Sequence, residues 1–152
     1  IFSHQVLEHV QNYEQAVSEM RRVLAKDGFC LHIFPPRTSL FEGHTNVPFG
    51  ALINSPAYYK FWAKLGIRTN NQRELNSKEV AQHNYNYVKQ NTNYLPEGEL
   101  VKVFSKHFAK IDFVEGLYLK YRIQPVGGLI YRLPGVAWGI RTFVSRAILL
   151  RV

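Results

Sequence analysis

Apolar positions recur with helical spacing over residues 12–28. In NYEQAVSEMRRVLAKDG, Tyr13, Ala16, Val17, Met20, Val23 and Leu24 stand at i, i+3, i+4, i+7, i+10 and i+11, one face of an α-helix. Asn12 is the expected N-cap, with Gln15 in near capping-box position. Glu14 and Glu19 precede Arg21, Arg22 and Lys26, in line with the helix dipole. Gly28 is expected to end the helix at its C′ position. FCLHIF, residues 29–34, is a nearly unbroken apolar run halted by Pro35 and Pro36. It predicts a strand buried on both faces of a parallel sheet flanked by helices. Ahead of the helix, IFSHQVLEHV reads as a strand end, a short loop at Ser3, His4 and Gln5, and a helical turn. Helix, glycine turn and buried strand form half of a βαβ unit.

From Arg37 to Thr92 the period fades. RTSLFEGHTNVPFG is loop-like. One helix is expected around Tyr58 to Leu65 and another in NSKEVAQHNYNYVKQ, capped by Asn76 or Ser77. PEGELVKVFSKHF restores a helical pattern with Leu100, Val101, Val103, Phe104 and Phe108 apolar. AKIDFVEG reads as a strand, GLIYRLPGVAWGIRTF as helical or irregular, and SRAILLRV as a last strand. The whole is an α/β domain over residues 1–152 with an insertion at about 38–92. It holds no repeat and no low-complexity tract.

Composition narrows this picture without choosing a chemistry. With 152 residues there is room for one domain with a core. Hydrophobic residues at 46% and charged residues at 20% place the chain among globular proteins. Nine tyrosines suit half-wet surfaces and pockets. A net charge of +8 favours anionic partners. The single cysteine, Cys30, excludes a disulfide framework and a cysteine-rich zinc site; it is expected to be a buried, inert thiol. No signal-peptide pattern and no membrane-spanning apolar run appears, and a reducing, cytoplasmic setting is expected.

Residues 1–37 then carry a resemblance. SHQVLEHVQNYEQAVSEMRRVLAKDGFCLHIFPP resembles the second half of a class I S-adenosylmethionine-dependent methyltransferase of the small-molecule type. There strand 4 ends in a loop reading roughly SHVLEHV, a helix closes with E..RVLKPGG, and strand 5 is an apolar run ending at a proline. Here those parts are Ser3 to Val10, then Glu19, Arg22, Val23, Leu24 and Gly28, then Phe29 to Phe34. Asp27 departs from the pattern, which more often has glycine or proline there. The helix near 97–108 and the strands near 110–115 and 145–152 fit the family's end in order and kind.

The resemblance implies a Rossmann-like methyltransferase fold of strand order 3-2-1-4-5-7-6, with the tip of strand 4 and strands 5, 6 and 7 present here. It implies S-adenosylmethionine as cofactor. It also implies transfer of a methyl group to a small-molecule acceptor such as a sugar, a polyketide or a lipid-linked compound. Ligands of open α/β sheets sit beyond the carboxyl ends of the strands at the switch in strand order. Ser3, His4 and Gln5 are therefore the expected cofactor-binding residues. Pro36, Arg37, His44 and Asn46 are the expected substrate-binding residues, with residues 38–92 as lid or substrate wall. No strand followed by a glycine-rich turn, and no acidic ribose partner after one, occurs in the chain. The chain is accordingly expected to be the C-terminal half of such a domain, poorly soluble and unable to bind the cofactor tightly by itself.

Each candidate has a plainer alternative. His4 and His9, five residues apart, do not share a helix face, so no metal site is expected, and no catalytic group is assigned. Glu8 and His9 read as helix-start residues. Arg37, His44 and Asn46 could equally form a solvated loop, with Asn46 closing a turn. His83, Tyr85, Tyr87 and Tyr94 could line an acceptor pocket or pack a lid. From Leu117 onward stand six cations and no acid, interleaved with Tyr118, Tyr121, Tyr131, Trp138 and Phe143. That tail raises a peripheral contact with a membrane surface; no nucleic-acid binding is expected. The functional rival is a non-catalytic, methyltransferase-like module that binds an anionic membrane or a protein partner.

Overall fold

The computed structural model describes residues 1–152. Strands β1 (Phe2–His4), β2 (Phe29–Phe34), β3 (Lys110–Phe113) and β4 (Arg146–Arg151) form one sheet in the order β1-β2-β4-β3. β1 runs parallel to β2, with Ser3 opposite His32. β4 runs antiparallel to both β2 and β3, placing Leu150 beside Cys30 and Ile111. A 3-10 turn, Leu7–His9, and helix α1 (Tyr13–Val23) carry the chain from β1 to β2. β1 forms one edge of the sheet, and Phe2 on it is 65% exposed.

Helix α1 begins as its sequence dictates: the Asn12 side chain accepts from the Gln15 backbone N–H at 3.1 Å. Its end differs from expectation. The last helical residue is Val23, Leu24 is already extended, and Gly28 closes a turn onto Ala25 O at 2.9 Å. Gly28 is not in the left-handed region, so it is not a C′ cap. Space makes it a glycine instead: a Cβ there would lie 2.8 Å from Leu24 Cδ1.

The two faces of the sheet are unequal. Cys30, Phe34, Ile148 and Leu150 face α1 and helix α4 (Glu97–Phe104), closing the main core with Leu7, Tyr13, Val17, Leu100, Phe104 and Phe108. The opposite face holds Phe29, exposed, and Leu31 and Ile33, half-buried. β2 is therefore not buried on both faces as its composition suggests. The helix that reaches this side, α5 (Glu115–Arg122), is short, and an apolar groove of about 340 Å³ remains among Leu31, Ile33, Leu117, Tyr118 and Tyr121. Helix α5 has no sequence signal: Val114 stands at its N-cap without a side-chain bond, and Leu119 is its one buried apolar residue.

Residues 38–92 build a second, smaller core. Helices α2 (Pro56–Lys64) and α3 (Ser77–Asn91) pack together, burying Val47, Tyr59, Ala81 and Val88. Ser55 caps α2 by accepting from the Tyr58 N–H at 3.2 Å. Asn76, rather than Ser77, caps α3, in a reciprocal capping box with Glu79. Between β3 and β4 the chain forms α5 and two further short helices, α6 (Gly127–Ile130) and α7 (Val136–Phe143). No helix is long and apolar enough to cross a membrane.

Candidate functional site

The carboxyl ends of the parallel pair β1 and β2 lie side by side, and the loops leaving them define the site. Gln5 follows β1 with φ 54°, left-handed for a non-glycine residue, a conformation that costs energy and concentrates at functional loops. Its N–H donates to Ile33 O at 2.8 Å, tying the loop to the end of β2. His4 and Gln5 are exposed. Ser3 points to the other side, where its hydroxyl pairs with His32 Nδ1 at 2.7 Å. His32 is fully buried with Nε2 unpartnered, and burial pushes its pKa down to about 4, so it is neutral near pH 7.

The loop after β2 builds a buried polar knot. Pro36 is buried and Arg37 exposed. Five residues on, the carboxylate of Glu42 is enclosed and fully used. Oε1 accepts from His44 Nδ1 at 2.7 Å and from the Tyr94 hydroxyl at 3.0 Å. Oε2 accepts from the N–H of His44 at 3.0 Å and of Thr45 at 2.8 Å. Burial raises the pKa of Glu42, but the bonds from His44, Thr45 and Tyr94 outweigh it and hold the group below the usual carboxylate range. In return, the bond to Glu42 raises the pKa of His44. An ionised carboxylate only accepts, so Nδ1 of His44 carries the proton and Nε2 is the basic nitrogen of the neutral ring. Asn46, with φ 60°, closes the turn by donating its N–H to Glu42 O at 2.8 Å. Gly50 permits the close approach, since a Cβ there would lie 2.9 Å from Glu42 Cβ.

His44 also touches the turn that follows β1. Its ring centroid lies 4.8 Å from that of His9, edge-on, and 5.1 Å from that of Tyr87. His9 is itself fixed, Nδ1 to Asn91 O at 2.7 Å. Glu8 is buried with Oε2 unpartnered. Burial raises its pKa, while His9, His44 and His4 act electrostatically against the rise. One carboxylate thus lies in the field of histidines from both loops.

Beside the knot is a polar cavity of about 230 Å³ lined by Arg37, Asn54, Lys89, Thr92, Asn93 and Tyr94. Arg37 Nε donates a long bond of 3.4 Å to Ala51 O, and Asn54 Oδ1 has no partner. Tyr94 is the wall shared with Glu42. The arrangement can hold a polar or anionic group on Arg37 and Lys89; His44 does not line this cavity, its ring lying against His9 and Tyr87.

The expected residues fall into two sets. His4 is the last residue of β1 and Gln5 the first beyond it, and Arg37 and His44 lie on the loop after β2. The Ser3 hydroxyl is turned to His32, and the Asn46 backbone serves the turn. The aromatic group 83–94 divides. Tyr87 packs on His44, Tyr94 bonds Glu42, His83 pairs with Gln72 at 3.0 Å, and Tyr85 packs in the α2–α3 core beneath Lys89. Glu42 and Glu8 were not singled out as site residues by sequence. The signal for Glu42 was its place two residues before His44 in a loop after a buried strand. No group of three or more His, Cys, Asp or Glu side chains is gathered to hold a metal ion.

Residues 1–32 match the family model of a methyltransferase domain. The match spans β1, the 3-10 turn, α1 and the first part of β2. It supports a methyltransferase domain in this part of the chain, of a family that generally uses S-adenosylmethionine. No curated protein matches the chain. Gln5, exposed and left-handed, follows the carboxyl end of a parallel strand, the end where open α/β sheets place their ligands.

Proposed function

We propose that residues 1–152 form the C-terminal part of a single methyltransferase domain that transfers a methyl group from S-adenosylmethionine to a small-molecule acceptor. The match of residues 1–32 carries this reading. The sheet supports it: the order β1-β2-β4-β3, with β4 antiparallel, repeats the 4-5-7-6 arrangement of the family. When bound, the cofactor supplies an electrophilic methyl group on a sulfonium. His4 and Gln5 line its side of the crevice. Arg37, with Lys89, holds a polar group of the acceptor, and proximity and orientation do much of the work. Glu42 keeps the His44 ring in one tautomer and stabilises its charged form. Residues 38–92 wall the site. Acceptors rich in hydroxyls (sugars, polyketides or lipid-linked compounds) suit such a site.

Calorimetry with S-adenosylhomocysteine, on the protein made from the complete reading frame containing these residues, tests the reading. Micromolar binding weakened by substitution at Gln5 is expected. A folded protein that shows no binding would sink it.

A further inference from the structure

The connection between β3 and β4 is used by neither the core nor the site. Along it Leu117, Tyr121, Leu129, Leu133 and Trp138 are each between 51% and 67% exposed, and Ile123 and Val126 are more than 40% exposed. Helix α7 buries none of its residues, and α6 buries only Gly127. Soluble proteins rarely leave so many large apolar side chains outside on one segment without a partner for them.

The charges on the same segment indicate the partner. No acidic residue occurs after Glu115. Of the six cations beyond it, Arg141 is clamped to Glu115 by two bonds of 3.1 and 3.2 Å, Arg146 is buried, and Arg151 pairs with Asp112. The others, Lys120, Arg122 and Arg132, are exposed and form no ion pair. They stand between the exposed apolar residues in sequence. Trp138 and Tyr121 have an apolar body and a polar tip, the character favoured at a bilayer's headgroup level. A second copy would set like charges face to face, and a nucleic acid has no use for exposed leucines.

We propose that residues 117–138 are a docking surface for an anionic lipid bilayer. The apolar side chains enter the headgroup boundary, and Lys120, Arg122 and Arg132 meet the lipid phosphates. The Glu115–Arg141 clamp, whose guanidinium lies 3.9 Å from the centroid of the Phe113 ring, ties α7 to α5 so that the surface is presented as a unit. The inference is independent of the methyl-transfer reading.

Cosedimentation of the protein made from the complete reading frame containing these residues, with vesicles of phosphatidylcholine, alone or mixed with phosphatidylglycerol, and with a vesicle-free control, tests it. Trp138 fluorescence is read in a Trp62→Phe background, and circular dichroism checks that each variant is folded. Binding to the mixed vesicles only is expected, with a blue shift of Trp138 and release by salt. Replacing Lys120, Arg122 and Arg132 by serine should weaken binding about 100-fold, roughly fivefold for each cation. Leu133→Ser with Trp138→Ser should weaken it strongly, and Val23→Ser, at an exposed site on α1, should leave it unchanged. Equal binding to neutral vesicles, binding undiminished in the cation variant, or equal loss in Val23→Ser would overturn the proposal. So would capture of an acidic protein by a chain that binds no vesicle.

Discussion

Two excursions leave the same sheet and solve the burial problem differently. Residues 38–92 carry helices of 9 and 15 residues, long enough to pack on each other and enclose Val47, Tyr59, Ala81 and Val88. They also bury Glu42, Thr45, Gln72 and Asn84 within hydrogen-bond networks. Residues 114–144 carry helices of 8, 4 and 8 residues, interrupted by Pro125 and by Pro134-Gly135. These are too short to build a core of their own, and Leu119 is the large apolar residue they bury completely. The excursions meet where Leu40 N–H donates to Phe143 O at 2.8 Å. Apolar content alone therefore does not decide what goes inside. An element must be long enough, and have a partner close enough, to exclude water from both sides.

That contrast can be broken most sharply at Tyr59, which is fully buried with its hydroxyl on Gly50 O at 2.8 Å. Tyr59→Ala should cost about 3–5 kcal/mol in denaturant unfolding. A loss below about 1 kcal/mol would show that the first excursion has no real core.

Glu42→Gln removes a buried charge-assisted network and should cost about 1.5–3 kcal/mol. Its effect depends on pH. The folded pKa of His44 is raised above 6.5, so its contribution is full below that value and is lost as pH rises through the folded pKa. The folded pKa of Glu42 is lowered below 4.5, so its contribution is present above that value and is lost as pH falls through the folded pKa. Thermal melts should show their joint stabilisation between about pH 4.5 and 6.5, flattened in Glu42→Gln, with a lower His44 pKa by NMR.

In the second excursion the sensitive point is backbone proximity. A Cβ on Gly127 would meet Leu119 O at 2.0 Å, so Gly127→Ala should cost about 1–3 kcal/mol and loosen α6 from α5. Trp138→Ala sits at the other extreme. At 65% exposure it should change stability by less than about 0.5 kcal/mol, and a larger loss would mean that α7 packs more firmly than its exposure suggests.

Much of the fold was legible in the chain. The period of Tyr13, Val17 and Met20, the caps Asn12 and Asn76, and the runs at 29–34 and 146–151 each state a local preference that the structure keeps. Helix α5 was not legible, because a short helix without a cap is held by its place against β4 and α7 rather than by propensity. Of the candidate site, the loop at Arg37–Asn46 was visible as a break after a strand; at Ser3–Gln5 the break was read two residues early, since Ser3 and His4 pair with His32 and Ile33 in β1 and the strand ends before Gln5. The roles within them were not: Ser3 faces His32, and His44 acquires its orientation from Glu42.

What the sequence determined by itself is local: helix starts, strand runs, the turn residues, and a basic end without acids. These depend on neighbours a few positions away. Tertiary structure decided which face of β2 stays open, that Glu42 and Tyr94 meet across 52 residues, and that Glu8 and His44 share one field. Those outcomes depend on burial and on the geometry of distant segments. The energy of a buried carboxylate is set by the groups around it: Glu42 takes three bonds from His44 and Thr45, two and three residues on, while the burial and the bond from Tyr94 come only from the fold.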